Sequence, residues 1–354
     1  MDMSKIFLKD ACPTPIGGQA ILEGVMMRGT ERTAIAVRIP DGRIHIKTQK
    51  NGNATRWMKI PIIRGVASFI YSLVEGTKTL TYSADVLEYY DRCLGEGEDA
   101  SQEKDAGKVE RWLTEKLGTQ LIWKLMLAAS VVIALAFSIG IFVLLPTAAI
   151  GWLKSYVSGA FLLNLIEGVL RIAMFLVYLS IISRMEDIKR VFQYHGAEHK
   201  TIHCFENGLE LTPENAQSFY TLHPRCGTSF LMFVMIISLV LFSLLGWPTL
   251  FWRLTSRILL IPVVAGISYE LLKWAGRSDN IVVRVLSLPG LYLQKITTNE
   301  PDEKQLEVAI ASLKAVLVNS ETPYIEGIVD ENINLTEEVR IGGIKPEKSH
   351  GESR

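Results

Sequence analysis

Two stretches, Tyr194-His-Gly-Ala-Glu-His-Lys-Thr-Ile-His-Cys-Phe-Glu206 and His223-Pro-Arg-Cys226, hold four of the chain's six histidines and two of its four cysteines. Such a concentration of imidazole and thiol has the chemistry of a metal site. His195 and His199 are four apart, so on a helix they share a face and sit about 6 Å apart along the axis. His203 continues that face, but about 12 Å separates it from His195, too far for one ion with bonds of about 2 Å to take both. His223 and Cys226 form a second chelating pair. Together the two pairs have the ligand number and softness that zinc prefers, so zinc or another divalent transition metal is the expected cofactor. Within the first pair, His195-Gly-Ala-Glu198-His199 fits H-x-x-E-H, the inverted zinc-peptidase pattern whose glutamate is a general base.

Glu198 is therefore the candidate catalytic residue, and His195, His199, His223 and Cys226 are the candidate ligands. Glu206 and Arg225 stand as secondary candidates. Arg225, with the amides that open a helix at Gly227-Thr-Ser229, could receive an anionic substrate group. The competing reading is that these histidines are polar residues satisfied by hydrogen bonds, and that Gly227-Thr-Ser229 is an ordinary helix start.

The elements that must position these residues are dominated by four apolar runs, Leu121–Ile150, Ala160–Ile182, Ser229–Trp252 and Arg257–Ala275. Each supplies about 20 residues, enough to cross a bilayer as a helix. The expected fold is mainly α: a polytopic helical membrane protein with about four spans, plus a small N-terminal cytosolic α+β segment. The lipid bilayer of a cell membrane is the expected partner. Lys+Arg and Asp+Glu balance at 37 each, so net charge makes no case for nucleic acid. The N-terminus has no pattern of a cleavable signal peptide and is expected to start in the cytosol. Lys154 is the sole basic residue between the first two runs, whereas Lys116, Lys124, Arg184, Lys189, Arg190, Lys200 and Arg225 lie on the other side. Both termini and the histidine-rich loop 183–228 should then face the cytosol. Reduced thiols in that compartment favour ligation at Cys226 over a disulfide.

Residues 1–94 read as a cytosolic region. Glycines in Gly17–Gly29 imply tight turns, and alternation over Thr33–Ile39 and Arg43–Thr48 around Pro40-Asp41-Gly42 predicts a β-hairpin. Lys59–Tyr90 reads as one or two amphipathic helices lying against the membrane or the spans. Residues 95–108 read as a flexible linker, 109–275 as the four-span domain, 276–318 as a cytosolic C-terminal region with a helix over Glu300–Val318, and 319–354 as a largely disordered tail. Arg184–Asn207 is predicted to continue the second span as a helix. Projected straight, that helix would carry His195 about 20 Å past Ile182, away from Cys226. A shared metal requires a bend, or a third span that starts high. Glu167 and Arg171 have helical ion-pair spacing, and Glu270, whose nearest local partner is Lys273, should point inward.

The strings Gly17-Gly-Gln-Ala-Ile-Leu-Glu-Gly-Val-Met-Met-Arg-Gly29, Tyr194-His-Gly-Ala-Glu-His-Lys200, His223-Pro-Arg-Cys-Gly-Thr-Ser-Phe230 and Gln294-Lys-Ile-Thr-Thr-Asn-Glu-Pro301 resemble the YqhQ-like bacterial membrane proteins. The resemblance spans most of the chain. It implies an integral membrane protein, a metal-dependent activity and no established substrate. It also implies that His195, Glu198, His199, Glu206, His223 and Cys226 belong to the shared pattern and that His203 does not. The expected function is a cytosol-facing metal-dependent hydrolase acting on a membrane-protein or lipid-linked substrate. The competing class is a non-enzymatic assembly, insertion or transport factor whose four-ligand metal staples the loop.

Overall fold

The computed structural model describes residues 6, 12–52, 60–95, 119–157, 159–245, 249–275, 280–318 and 322–341. Strands β1 (Gly17–Ile21), β2 (Gly24–Arg28), β3 (Arg32–Arg38) and β4 (Ile44–Lys50) form an antiparallel meander. The expected hairpin is its second half, closed by a turn in which Gly42 takes a φ of 90°, a left-handed value that glycine adopts without steric cost.

Two further strands, β5 (Glu326–Val329) and β6 (Leu335–Glu338), extend the sheet to six in sequence order. The reading of 319–354 as a largely disordered tail is thereby corrected for residues 326–338. Four residues are too few to announce a strand, but β5 pairs the edge of β4, with Ile46 opposite Gly327. Residues 96–108 of the expected linker and residues 342–354 lie outside the described residues.

Ten helices are described: α1 (Ile63–Leu94), α2 (Thr119–Ile139), α3 (Leu145–Leu153), α4 (Ala160–Ile182), α5 (Glu186–Glu206), α6 (Pro213–Gln217), α7 (Gly227–Leu244), α8 (Leu250–Ala275), α9 (Ile281–Thr297) and α10 (Glu303–Leu317). Strand alternation sends Val25 and Met27 to one face of the sheet and Met26 to the other. The first face packs on α5 and α10 through Tyr194, Ala197, Leu306 and Leu313. The second packs on α1 through Val86 and Tyr90. The helix that carries the histidines is thus clamped between a sheet and α10, whose start is fixed by a capping box of Asp302 and Gln305.

Under α1, His45 is buried between Tyr90, 3.2 Å from its Nδ1, and Tyr82, 2.9 Å from its Nε2. Burial lowers its pKa from 6.5 to about 4. Between those values the unfolded chain binds the extra proton, so stability falls as pH drops through this window. The expected loss is about 3 kcal/mol by pH 4. Thermal melts of His45→Gln and wild type across this range check it: the variant should show the smaller acid slope.

Among the described residues, four helical stretches are long and apolar enough to cross a membrane: Ala129–Leu153, Ala160–Ile182, Gly227–Leu244 and Thr255–Ala275. The first runs from α2 into α3 through a π-helical turn, Gly140–Leu144. The protein is mainly α, and these helices present large apolar side chains such as Ile133, Phe137 and Leu259 to the outside. Among the spans, Glu167 pairs with Arg171 at 2.6 Å, as the spacing predicted, and also receives both terminal nitrogens of Arg257 at 2.7 and 2.8 Å. Glu270 is paired by Arg64 of α1, Nε to Oε1 at 2.6 Å, rather than by the local Lys273.

Two helical expectations are corrected. The histidine helix does not continue the second span, because α4 ends at Ile182 and Met185 is extended, with φ −68° and ψ 135°. The chain therefore turns before α5. Residues 276–318 carry a second helix, α9, despite Pro289 in its interior.

Candidate metal centre

Helix α5 presents His195 and His199 on one face, and the loop after α6 returns to place Cys226 as the N-cap of α7. Ligand atoms of His195, His199 and Cys226 lie within 4.8 Å of one another. The imidazole roles follow from their partners. Nδ1 of His195 lies 2.8 Å from the carbonyl of Thr297, and Nδ1 of His199 hydrogen-bonds the carbonyl of Thr221. A carbonyl only accepts, so both Nδ1 atoms carry the proton and, with the rings neutral, both Nε2 atoms keep a lone pair. Backbone carbonyls orient metal-binding histidines in this way.

The His195 lone pair sits 3.2 Å from Sγ of Cys226, and that sulfur also accepts the backbone amide of Thr228 at 3.4 Å. The His199 Nε2 is buried and has no hydrogen-bond partner among the described residues. An unsatisfied buried lone pair costs free energy that a ligand would recover. Burial lowers the His199 pKa, with Cys226 opposing, which keeps the ring neutral as ligation requires.

Glu198 faces the same space, with Oε2 at 3.7 Å from His199 Nε2 and 3.9 Å from His195 Nε2. Burial raises its pKa, and His195 and the backbone amide of Gly18 pull the other way. Strand β1 comes so close that a Cβ on Gly18 would lie 2.8 Å from Cγ of Glu198.

His223 is next to this trio but outside it. Its ring centroid is 5.6 Å from that of His199, its Nδ1 accepts the amide of Arg225 at 3.3 Å, and its Nε2 is 3.8 Å from Glu206. Burial takes its pKa down to about 3. Burial alone would raise the pKa of Glu206, yet the nearby His223 and hydrogen bonds from Arg225 and the Thr14 amide hold it at about 2. Arg225 is thus engaged with Glu206 and with the Thr14 carbonyl at 3.4 Å. His203, set apart from the site on distance, stacks on Phe219 and hydrogen-bonds the Leu222 carbonyl at 3.0 Å.

With the geometry in view, comparison with known proteins places the chain. The family described as "Protein of unknown function (DUF1385)" matches residues 60–319. The chain belongs to the DUF1385 family. The chain is also similar to the uncharacterized protein YqhQ of Bacillus subtilis (strain 168), 37% identical over 317 residues, which cover 87% of this chain and 94% of that protein. No solved structure matches it. The residues matched to DUF1385 run from α1 to α10, so they contain all three clustered ligands but leave out Gly18 and the sheet.

Sequence reasoning missed three parts that hold this DUF1385 site. The carbonyls of Thr221 and Thr297 carry no side-chain signature. Gln294, fully buried, clamps the His223 backbone: its Oε1 accepts the amide at 2.8 Å, and its Nε2 donates to the carbonyl at 2.9 Å and to Ser229 Oγ at 3.1 Å. The one signal for it was its place at the head of the string Gln294–Pro301. Gln294→Ala leaves the His223 amide unsatisfied, at a cost of about 1–3 kcal/mol, and its carbonyl with the Cys226 amide at 3.3 Å. The variant is expected to melt several degrees lower, checked by scanning calorimetry in detergent.

Proposed function

We propose that His195, His199 and Cys226 hold zinc or another divalent transition metal, and that the protein is a metal-dependent hydrolase with Glu198 as general base. The observation that carries this reading is the buried lone pair of His199, without a partner among the described residues, converging with a second imidazole and a thiol beside a carboxylate. Two nitrogens and one sulfur form a donor set that zinc accepts. Three protein ligands leave the fourth tetrahedral position open, the pattern of catalytic sites, whereas four would close it. A bound divalent ion would supply Lewis acidity and bring the pKa of water to about 7.

The protein's own contribution is to exclude bulk water and to fix a proton acceptor. Glu198 is 5% exposed and held from one side by β1. Its desolvated carboxylate is a stronger base than one in water, which suits proton abstraction near neutral pH. Cys226 stands where an apolar, membrane-length helix begins. That placement supports a substrate presented at the bilayer surface, a membrane-protein or lipid-linked group. The asymmetry of basic residues supports a site, and both termini, on the cytosolic side of the cell membrane.

Cobalt substitution tests the ligand set. Co(II)-loaded protein should show the intense visible bands of a tetrahedral site and a sulfur-to-cobalt charge-transfer band. Cys226→Ser should remove the charge-transfer band, and His223→Ala should leave the spectrum unchanged. Loss of cobalt from His223→Ala would instead favour a closed four-ligand structural site, as in an assembly, insertion or transport factor.

A further inference from the structure

Helix α1 is 32 residues long and does two different jobs. Its C-terminal half covers the sheet through Val86 and Tyr90. From Tyr71 onward α1 already touches the sheet, through Arg28, Gln49 and Gln19, whereas its first turns lie beyond the sheet and pack along α8, the fourth membrane-length helix. Contact there is close: a Cβ on Gly65 would lie 2.9 Å from the Cα of Gly266, and one on Gly266 would lie 2.9 Å from the Cα of Ile62. Phe69 meets Phe230, in the first turn of α7, with ring centroids 5.4 Å apart.

These contacts set a depth. Helix α7 starts at the metal site and α8 runs back towards it, so Gly227 and Ala275 lie towards the sheet side. Gly266 is nine residues before Ala275, about 14 Å along the helix. One leaflet of hydrocarbon is about 15 Å thick. The start of α1 therefore lies inside the leaflet nearest the sheet. Its outward surface fits that place: Ile60, Ile62, Ile63 and Ile70 are each 42–55% exposed, and α8 likewise turns Ile258, Leu259 and Ile261 outward.

A helix start in hydrocarbon leaves backbone amides without water. Ile62, which precedes α1, offers no side-chain cap and holds a strained left-handed φ of 68°. The Ile63 and Arg64 amides are taken by the carbonyls of Pro61 and Ile60 at 2.8 and 2.9 Å. The Ile62 amide instead faces the carboxylate of Glu270 on the span, which also pairs with Arg64. A negative charge at a helix N-terminus is favourable, and Arg64 balances it locally.

We infer that the first turns of α1, residues 63–70, form a membrane-embedded segment, pinned by Glu270, whose isoleucine face contacts lipid acyl chains. Glu270 then has a reason to sit in a membrane-length helix.

The test uses nitroxide labels at Ile63→Cys, Ile70→Cys and Arg92→Cys in full-length protein with Cys12→Ser and Cys93→Ser. The protein is reconstituted in phosphatidylcholine–phosphatidylglycerol vesicles. Collision with oxygen should exceed collision with a neutral nickel chelate at positions 63 and 70, with position 63 the deeper, and the order should reverse at position 92. Nickel access at position 63 equal to that at position 92 would overturn the inference. So would dipolar broadening at position 63 that unlabelled protein dilutes away, because the face would then cover a second copy. Adding Glu270→Ala should make position 63 shallower, and an unchanged depth would refute the pin.

Discussion

Glu198→Gln is expected to keep its metal and its melting temperature while losing about 100-fold or more of hydrolytic turnover, the contribution typical of a positioned general base. Glutamine conserves the shape and can still accept the amide of Gly18, so the packing against β1 survives. What it cannot do is take a proton. Metal analysis and melting curves on the same preparation separate this outcome from misfolding. A structural site would behave differently: a variant with full metal and full activity would make Glu198 a packing residue, and the site a staple.

Gly196→Ala is the second large effect, and it arises from the backbone. A Cβ at position 196 would lie 2.1 Å from the carbonyl oxygen of Asn299 and 3.1 Å from Cγ2 of Thr221. Neither neighbour is a flexible side-chain tip. The Asn299 segment is anchored, its amide donating to Phe192 at 2.9 Å, and Lys200 ties the next residue through Glu300 at 2.8 Å. Relief must therefore come from shifting the stretch that includes the Thr297 carbonyl, which orients His195. The expected cost is about 3 kcal/mol or more in stability. Metal affinity should fall about 10- to 100-fold, the usual result of disturbing an outer-shell partner. A chelator competition titration measures the second quantity. Unchanged affinity would show that Thr297 does not set the orientation of His195.

Particular residues show what the sequence could and could not disclose. The β3–β4 hairpin was legible because alternation and Pro40-Asp41-Gly42 are local signals. Strands β5 and β6 were not, since a four-residue strand depends on the edge offered by β4, far away in the chain. Helix α9 was hidden by Pro289 and Gly290. Glycine is needed there because a Cβ would lie 2.5 Å from Oγ of Ser229. The four membrane-length helices were plain from hydropathy, and the break at Met185 was not, because the distance between His195 and Cys226 was equally met by a third span that starts high. At the site, residue types named the candidates, but spacing could not say which way His223 turns. That is decided by Gln294, Arg225 and Glu206, from three separate segments. The partner of Glu270 was likewise out of reach, because Arg64 comes from a helix some 200 positions earlier.

The central claim is a metal held by His195, His199 and Cys226. Elemental analysis of detergent-purified protein, run on wild type, His199→Ala and Cys226→Ala with melting curves as a check on folding, tests it most directly. The account predicts about one zinc-class ion per wild-type chain and a marked loss in both variants. Equal metal content in all three folded proteins would contradict it.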